Sequence, residues 1–156
     1  MVDQKTDFTE LSRFLQDVYE EKIPFNKELG LKIISLKEDN VCIKLEMKEK
    51  LVGNYKYGML HGGVISSVLD ATGGAIVSVG ILKKMVGCRL EEIFNQITKI
   101  STVDLRVDFL RPGQGNYFLS TGSIMRMGNK VVVIRTTLHN DKEALIAVGT
   151  GIYMLG

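Results

Sequence analysis

The chain has 156 residues, 45% hydrophobic and 24% charged. That is enough for one domain with a sizeable core, and too apolar for a disordered segment. Twenty Lys and Arg against 18 Asp and Glu leave a formal net charge of +2, and no basic cluster is longer than Lys83-Lys84, which argues against a nucleic-acid partner. Cys42 and Cys88 lie far apart without a CxxC pattern and read as two free thiols in a reducing compartment, a single bridge being the alternative.

The opening stretch, "MVDQKTDFTELSRF", is polar and acidic and lacks the apolar core of a signal peptide. From Asp7 to Lys22, apolar side chains at Phe8, Leu11, Phe14, Leu15, Val18 and Tyr19 follow helical spacing, predicting an amphipathic helix that ends before Pro24. Two strands follow, "LGLKIISLKE" and "NVCIKLEMKE", joined at Glu38-Asp39-Asn40. In the second, Val41, Ile43, Leu45 and Met47 alternate with Cys42, Lys44 and Glu46, the period of a half-buried strand.

The stretch from Gly62 to Leu82 is apolar on nearly all sides and long enough to raise the question of a membrane span. Asp70, the hydroxyl residues Ser66, Ser67, Thr72 and Ser78, and five glycines weigh against one, and favour a helix buried in the core of a soluble, cytoplasmic protein. A second amphipathic helix follows, with Leu90, Ile93, Phe94 and Ile97 on one face. The last third reads as four strands in a meander. "STVDLRVDFLRPG" alternates Val103, Leu105, Val107 and Phe109 with charged residues, and "NYFLSTGSIMRM" and "KVVVIRTTLHN" flank a hairpin turn at Gly128-Asn129. "EALIAVGTGIYML" closes the chain. The expected architecture is α+β in a single domain, residues 1–156: a curved six-stranded antiparallel sheet wrapped around the long central helix, with one helix before and one after.

Chemistry concentrates in "NYKYGMLHGGVISSVLDATGG". Gly62 and Gly63 open the central helix, where unpaired amides and the positive dipole end can hold an oxygen that gains negative charge. The same glycines would equally permit a tight loop-to-helix junction. Asp70 interrupts the apolar run. A carboxylate there must find a partner or keep its proton, and it reads either as a structural hydrogen-bonding group or as a general base or nucleophile in a cleft. Eight residues of helix separate Gly62 from Asp70 by about 12 Å, too far for both to act on one carbonyl within one chain. Joint catalysis therefore requires a second copy of the chain. His61 reads as a cap or packing residue and Asn54 as a turn residue, both near enough to Gly62 to orient a carbonyl or water. His139, beside Asn140-Asp141, reads as a turn residue. No metal-ligand spacing, G-x-S-x-G or Walker A pattern occurs.

The HGG-x6-D spacing, combined with "TVDLRVDFLRPG", the Pro24–Asn26 turn and the Gly128–Lys130 hairpin, resembles the hotdog-fold acyl-CoA thioesterases. The resemblance is to the branch typified by the phenylacetate-pathway thioesterase, and within it to small bacterial members acting on medium- and long-chain acyl-CoA. It implies that Asp70 activates water or attacks the thioester, that the Gly62 N–H polarises the thioester carbonyl, and that His61 supports the site. It also implies that Asn54 helps hold the carbonyl or water. Gly63, Arg111 and Lys130 become candidates for contact with the substrate and its CoA phosphates. The resemblance further implies a homodimer with its sites between subunits, commonly paired into a tetramer. No cofactor is expected, since coenzyme A belongs to the substrate. A dehydratase on acyl thioesters, or a non-catalytic acyl-CoA sensor, are the alternatives. The segment from Leu82 to Lys99 is longer than in many such proteins.

Overall fold

In the computed structural model, which describes residues 7–37 and 40–156, Asp7 caps the first helix, α1 (Phe8–Asp17), by accepting a hydrogen bond from the Glu10 N–H at 2.8 Å. Leu11 and Leu15 are fully buried on its inner face. The chain then widens into one π-helical turn, Val18–Lys22, closed by Ile23 N–H donating to Val18 O at 3.0 Å. Pro24 starts a further helix, α2 (Pro24–Leu29), which ends at the left-handed Gly30. Here the structure corrects the sequence: Pro24–Asn26 is a helix start rather than a turn, and Leu29 closes that helix rather than opening a strand. Proline at the first helical position and glycine at the end bracket six residues too short to display a period.

Strands β1 (Lys32–Lys37) and β2 (Asn40–Glu46) pair antiparallel, while the expected junction residues 38 and 39 lie outside the described residues, as do residues 1–6 of the amino-terminal stretch. A short hairpin, β3 (Val52–Asn54) with β4 (Met59–Leu60), precedes the central helix α3 (Gly62–Lys84) and was not foreseen. After α4 (Leu90–Ile97) come β5 (Ile100–Phe109), β6 (Tyr117–Met127), β7 (Val131–Asn140) and β8 (Leu145–Leu155). All six long strands form one antiparallel sheet in the order β1-β2-β6-β7-β8-β5. Only β6, β7 and β8 make the expected meander. β5 takes the far edge beside β8, and the chain crosses back past the start of α3, where Leu60 N–H donates to Gly113 O at 2.8 Å. His139 lies within β7, and the turn is made instead by Asn140, whose Oδ1 accepts from the N–H groups of Lys142 and Ala144.

Helix α3 touches all six strands and runs across the concave face of the sheet. It is long and apolar enough to cross a membrane, but most of it is buried as the core helix of this fold. Its face toward the sheet carries Ile65, Val68, Leu69, Thr72, Ala75, Ile76 and Val79, all buried. Helices α1 and α4 cover its other side and meet each other edge to face through Phe14 and Phe94, 6.0 Å apart. Each fully buried Leu or Ile contributes about 1.5–3 kcal/mol, so the sheet and the helices hold α3 from opposite sides.

Candidate active site

Asp70 sits in the middle of α3, half-buried, with one carboxylate oxygen fixed and the other free. Its Oδ1 accepts from Thr102 Oγ1 on β5 and from the Tyr153 hydroxyl on β8, each at 2.9 Å. The same Tyr153 hydroxyl lies 2.9 Å from the Asp70 main-chain oxygen, so its single proton is shared between two acceptors. Oδ2 has no hydrogen-bond partner among the described residues. Gly73 makes this possible, because a Cβ there would run into the Tyr153 ring and hydroxyl. Burial pushes the Tyr153 hydroxyl well above the usual phenol range, and the adjacent Asp70 charge adds to it. The phenol therefore stays protonated and serves Asp70 as a donor.

Asp70 opens into a cavity of about 490 Å³. One wall is a face of α3 formed by Ser67, Asp70, Ala71, Gly74 and Ser78; Val18, Tyr19, Ile23 and Phe25 lie opposite. Ile97 and Ile100 close the side next to α4. The π-helical turn presents Val18 and Tyr19 to this space, and the Tyr19 hydroxyl lies 3.5 Å from Ser78 Oγ. Burial raises Tyr19 to about 12, the Ser78 hydrogen bond working against that rise and the Asp70 charge with it. The lining is mainly apolar, with its charge confined to Asp70. A carboxylate at the wall of a greasy pocket suits attack on an acyl group whose hydrocarbon is held nearby.

The helix start forms a second, separate concavity of about 520 Å³, lined by Gly53, Asn54, Tyr55, Met59, Leu60, His61 and Gly62. His61 caps α3: its Nδ1 accepts from Gly63 N–H at 2.8 Å, which leaves the ring proton on Nε2. Gly63 N–H is thereby engaged, whereas Gly62 N–H has no partner among the described residues. The amide left open at this dipole end is thus that of Gly62, a position able to receive an oxygen that gains negative charge. Asn54 Oδ1 accepts from Lys56 N–H at 3.2 Å, holding the turn between β3 and β4 while the residue lines the same groove. Gly53 is a site residue that sequence reasoning missed. A Cβ there would lie 2.8 Å from His61 Cα, so only glycine lets β3 press against the capping histidine.

The structure therefore brings Asn54, His61 and Gly62 together and leaves Asp70 apart from them. No residue lines both concavities. Strand β5 links the two: Thr102 near one end bonds Asp70, and Phe109 at the other stands 3.5 Å from the position a Gly62 Cβ would take. The two candidate cations also divide. Arg111 follows β5 at the Gly62 end and donates to Leu145 O at 2.9 Å. Lys130 precedes β7, and its main-chain oxygen accepts from the N–H of Leu155, which pairs with Ile100 at the Asp70 end of β5. Among the described residues no three His, Cys, Asp or Glu side chains converge on a metal position.

The family model of the Thioesterase superfamily matches residues 57–147, a span that contains His61, Gly62 and Asp70. The medium/long-chain acyl-CoA thioesterase YigI of Salmonella typhimurium is 39% identical over 134 residues, covering 86% of each chain. A crystal structure from Shewanella oneidensis, related to the thioesterase superfamily, superposes with a TM-score of 0.89 at 40% identity and covers 95% of this chain and 97% of its own. The PaaI protein from the phenylacetic acid degradation operon of Escherichia coli has a TM-score of 0.75 over 96% of each chain at 17% identity, a likeness of fold. With a family match over more than half its length and relatives this similar, the chain belongs to the thioesterase superfamily, the hotdog thioesterases.

Proposed function

We propose that this protein hydrolyses medium- to long-chain acyl-CoA to the free fatty acid and CoA, with each site built from two subunits. Supporting this is Asp70: a carboxylate with one oxygen fixed by Thr102 and Tyr153 and the other open to a mainly apolar cavity. The cavity follows α3 from Ser67 to Ser78, about 16 Å at the helical rise. That depth suits a hydrocarbon chain rather than a short acyl group. Its relatives named YigI are medium/long-chain acyl-CoA thioesterases.

A second copy supplies the oxyanion donor. Gly62 and Asp70 lie on one straight helix, about 12 Å apart, and face different concavities. β5 is an edge strand whose Val103, Phe109 and the following Leu110 are 56%, 55% and 51% exposed. Bare apolar edges of this kind invite strand pairing. Two copies joined antiparallel along β5, symmetric about Leu105 and Arg106, bring Phe109 of one opposite Thr102 of the other. That arrangement carries one copy's Gly62, Asn54, His61 and Arg111 to the other copy's Asp70 and Lys130. Two-fold pairing makes two such sites per dimer, and dimers pair further into a tetramer.

In the proposed reaction the thioester carbonyl oxygen receives the Gly62 N–H of one subunit. Water attacks the carbonyl carbon while Asp70 Oδ2 of the other takes its proton, forming the C–O bond and placing the negative charge at Gly62. Collapse of the intermediate breaks the C–S bond, and the CoA thiolate takes the proton from Asp70. His61 holds the helix start, Asn54 lines the carbonyl side, and Arg111 and Lys130 meet the CoA phosphates at the rim. No cofactor takes part, and the enzyme works in the cytoplasm as one domain. A dehydratase needs a histidine base aimed at substrate, and His61 Nδ1 is already engaged by Gly63 N–H. The test is Asp70→Asn: acyl-CoA hydrolysis falls to background while gel filtration still gives the dimer. Near-wild-type turnover by that variant would overturn the mechanism.

A further inference from the structure

Among the described residues, Asn26 is the one buried polar residue of the Asp70 cavity whose side chain has no partner. It is 5% exposed, lies in α2 and lines the same space as Asp70. The other polar side chains there are all engaged. Ser67 donates to Gly63 O, Ser78 to Gly74 O and Thr98 to Phe94 O, while Tyr19 pairs with Ser78. Thr102 and Tyr153 both serve Asp70. The Asn26 carboxamide bonds to none of the described residues.

Folding does not account for an asparagine here. Its main-chain oxygen already closes α2 by accepting from the N–H groups of Gly30 and Leu31, at 2.9 and 3.1 Å. The side chain adds nothing to that cap. At this depth a leucine would bury without the cost of an unpaired amide. The carboxamide is not sealed within the fold, and the cavity it lines with Asp70 gives a water room to partner it.

We infer that Asn26 is a further catalytic residue, which holds the attacking water against Asp70. This rests on the hydrolytic reading above. A water molecule has two protons and must keep one lone pair directed at the thioester carbon. Asp70 Oδ2 accepts the proton that is to be transferred, and the Asn26 carboxamide oxygen accepts the other. With both protons held, the lone pair has one direction left. The thioester carbonyl needs nothing from Asn26, since its oxygen is received by the partner's Gly62 N–H.

The test is steady-state hydrolysis of a panel of acyl-CoA chain lengths by Asn26→Leu and Asn26→Ala, beside wild type and Asp70→Asn. Ala serves where Leu perturbs packing, because it is smaller than the residue it replaces. The expected result is a fall in kcat of about 10²-fold in both variants, the scale of a misplaced reactant. KM and the order of chain-length preference stay as in wild type, and circular dichroism shows an unchanged fold. A kcat within twofold of wild type, or a loss carried by KM or by a reordered chain preference, overturns the inference. Either result leaves the thioesterase reading standing if wild type hydrolyses acyl-CoA and Asp70→Asn does not. Absence of hydrolysis by wild type would instead overturn that reading itself.

Discussion

The Tyr153 hydroxyl and the Asp70 carboxylate stand 2.9 Å apart, although 83 residues separate them in the chain. Together with Thr102, also 2.9 Å away, Tyr153 pins Oδ1 and so sets the direction in which Oδ2 points. Tyr153→Phe removes one of the two donors without changing the ring. We expect kcat to fall about tenfold as Asp70 loses its orientation, and stability to drop by about 1 kcal/mol. Thr102→Val removes the other donor from an exposed residue, with a similar kinetic loss and a smaller effect on stability. Because both act through one oxygen, the double variant should lose a different amount from the sum of the singles. Kinetics on the three variants with urea titrations provides the check.

Much of this architecture was legible because its signals are local. α3 announced itself by being apolar all round, and β6 to β8 by alternation and a Gly-Asn turn. Asp70 and Gly62 stood out as anomalies, a carboxylate within an apolar run and paired glycines at a helix start. Tyr153 and Thr102 were not found, because a tyrosine in an alternating strand reads as core. Their role arises only when register sets Thr102, Tyr153 and Val132 in one row under α3. The place of β5 at the sheet edge is likewise non-local, since nothing within its own residues says which neighbour it pairs with. Asn26 carried a usable signal, a polar residue between Pro24 and Leu29 on the buried face of α2, which was masked by treating that segment as a turn.

Stability should decline in alkali through Tyr19. Its hydroxyl is raised by burial from 10.0 to about 12. Below pH 10 the folded and unfolded chains both hold this proton, so the group adds no pH dependence. Above pH 10 the unfolded chain releases it and the folded chain does not. Unfolding is then favoured progressively until about pH 12, a loss of about 3 kcal/mol at about 1.36 kcal/mol per unit. Tyr153 is shifted in the same direction and adds to the decline. Tyr19→Phe should flatten the fall between pH 10 and 12, measured as thermal midpoint against pH, while costing little below pH 10.

Acyl-chain length should respond to Ala71. It follows Asp70 on α3, is half-buried, and lines the cavity where a hydrocarbon would pass. Ala71→Leu keeps good helix propensity and projects three more carbons into that space. Long-chain kcat/KM should fall by at least about tenfold relative to short-chain substrates, the worth of a methylene misfit in an apolar pocket. Equal losses across all chain lengths would show that the chain does not run past Ala71. A panel of saturated acyl-CoA substrates reads the difference directly.

The proposed sharing of sites between subunits makes the sharpest prediction. Gly62→Pro removes the one open amide at the helix start while respecting the backbone. Proline suits the first helical position, and His61 before it already has φ −64° and ψ 135°, the extended region that a residue before proline prefers. A Cβ at Gly62 meets the Phe109 ring at 3.5 Å, an ordinary contact. Loss of this donor should cost about 10²–10³-fold in kcat. Coexpressed with Asp70→Asn, itself expected to be inactive, the Gly62→Pro chain should restore activity. In a mixed dimer, one site pairs the intact Asp70 of one chain with the intact Gly62 of the other, while its counterpart carries both lesions. Random pairing makes about half the dimers mixed, each with one working site of two, so activity returns to about one quarter of wild type. If each chain instead carried a complete site, every site would hold one lesion and coexpression would restore nothing.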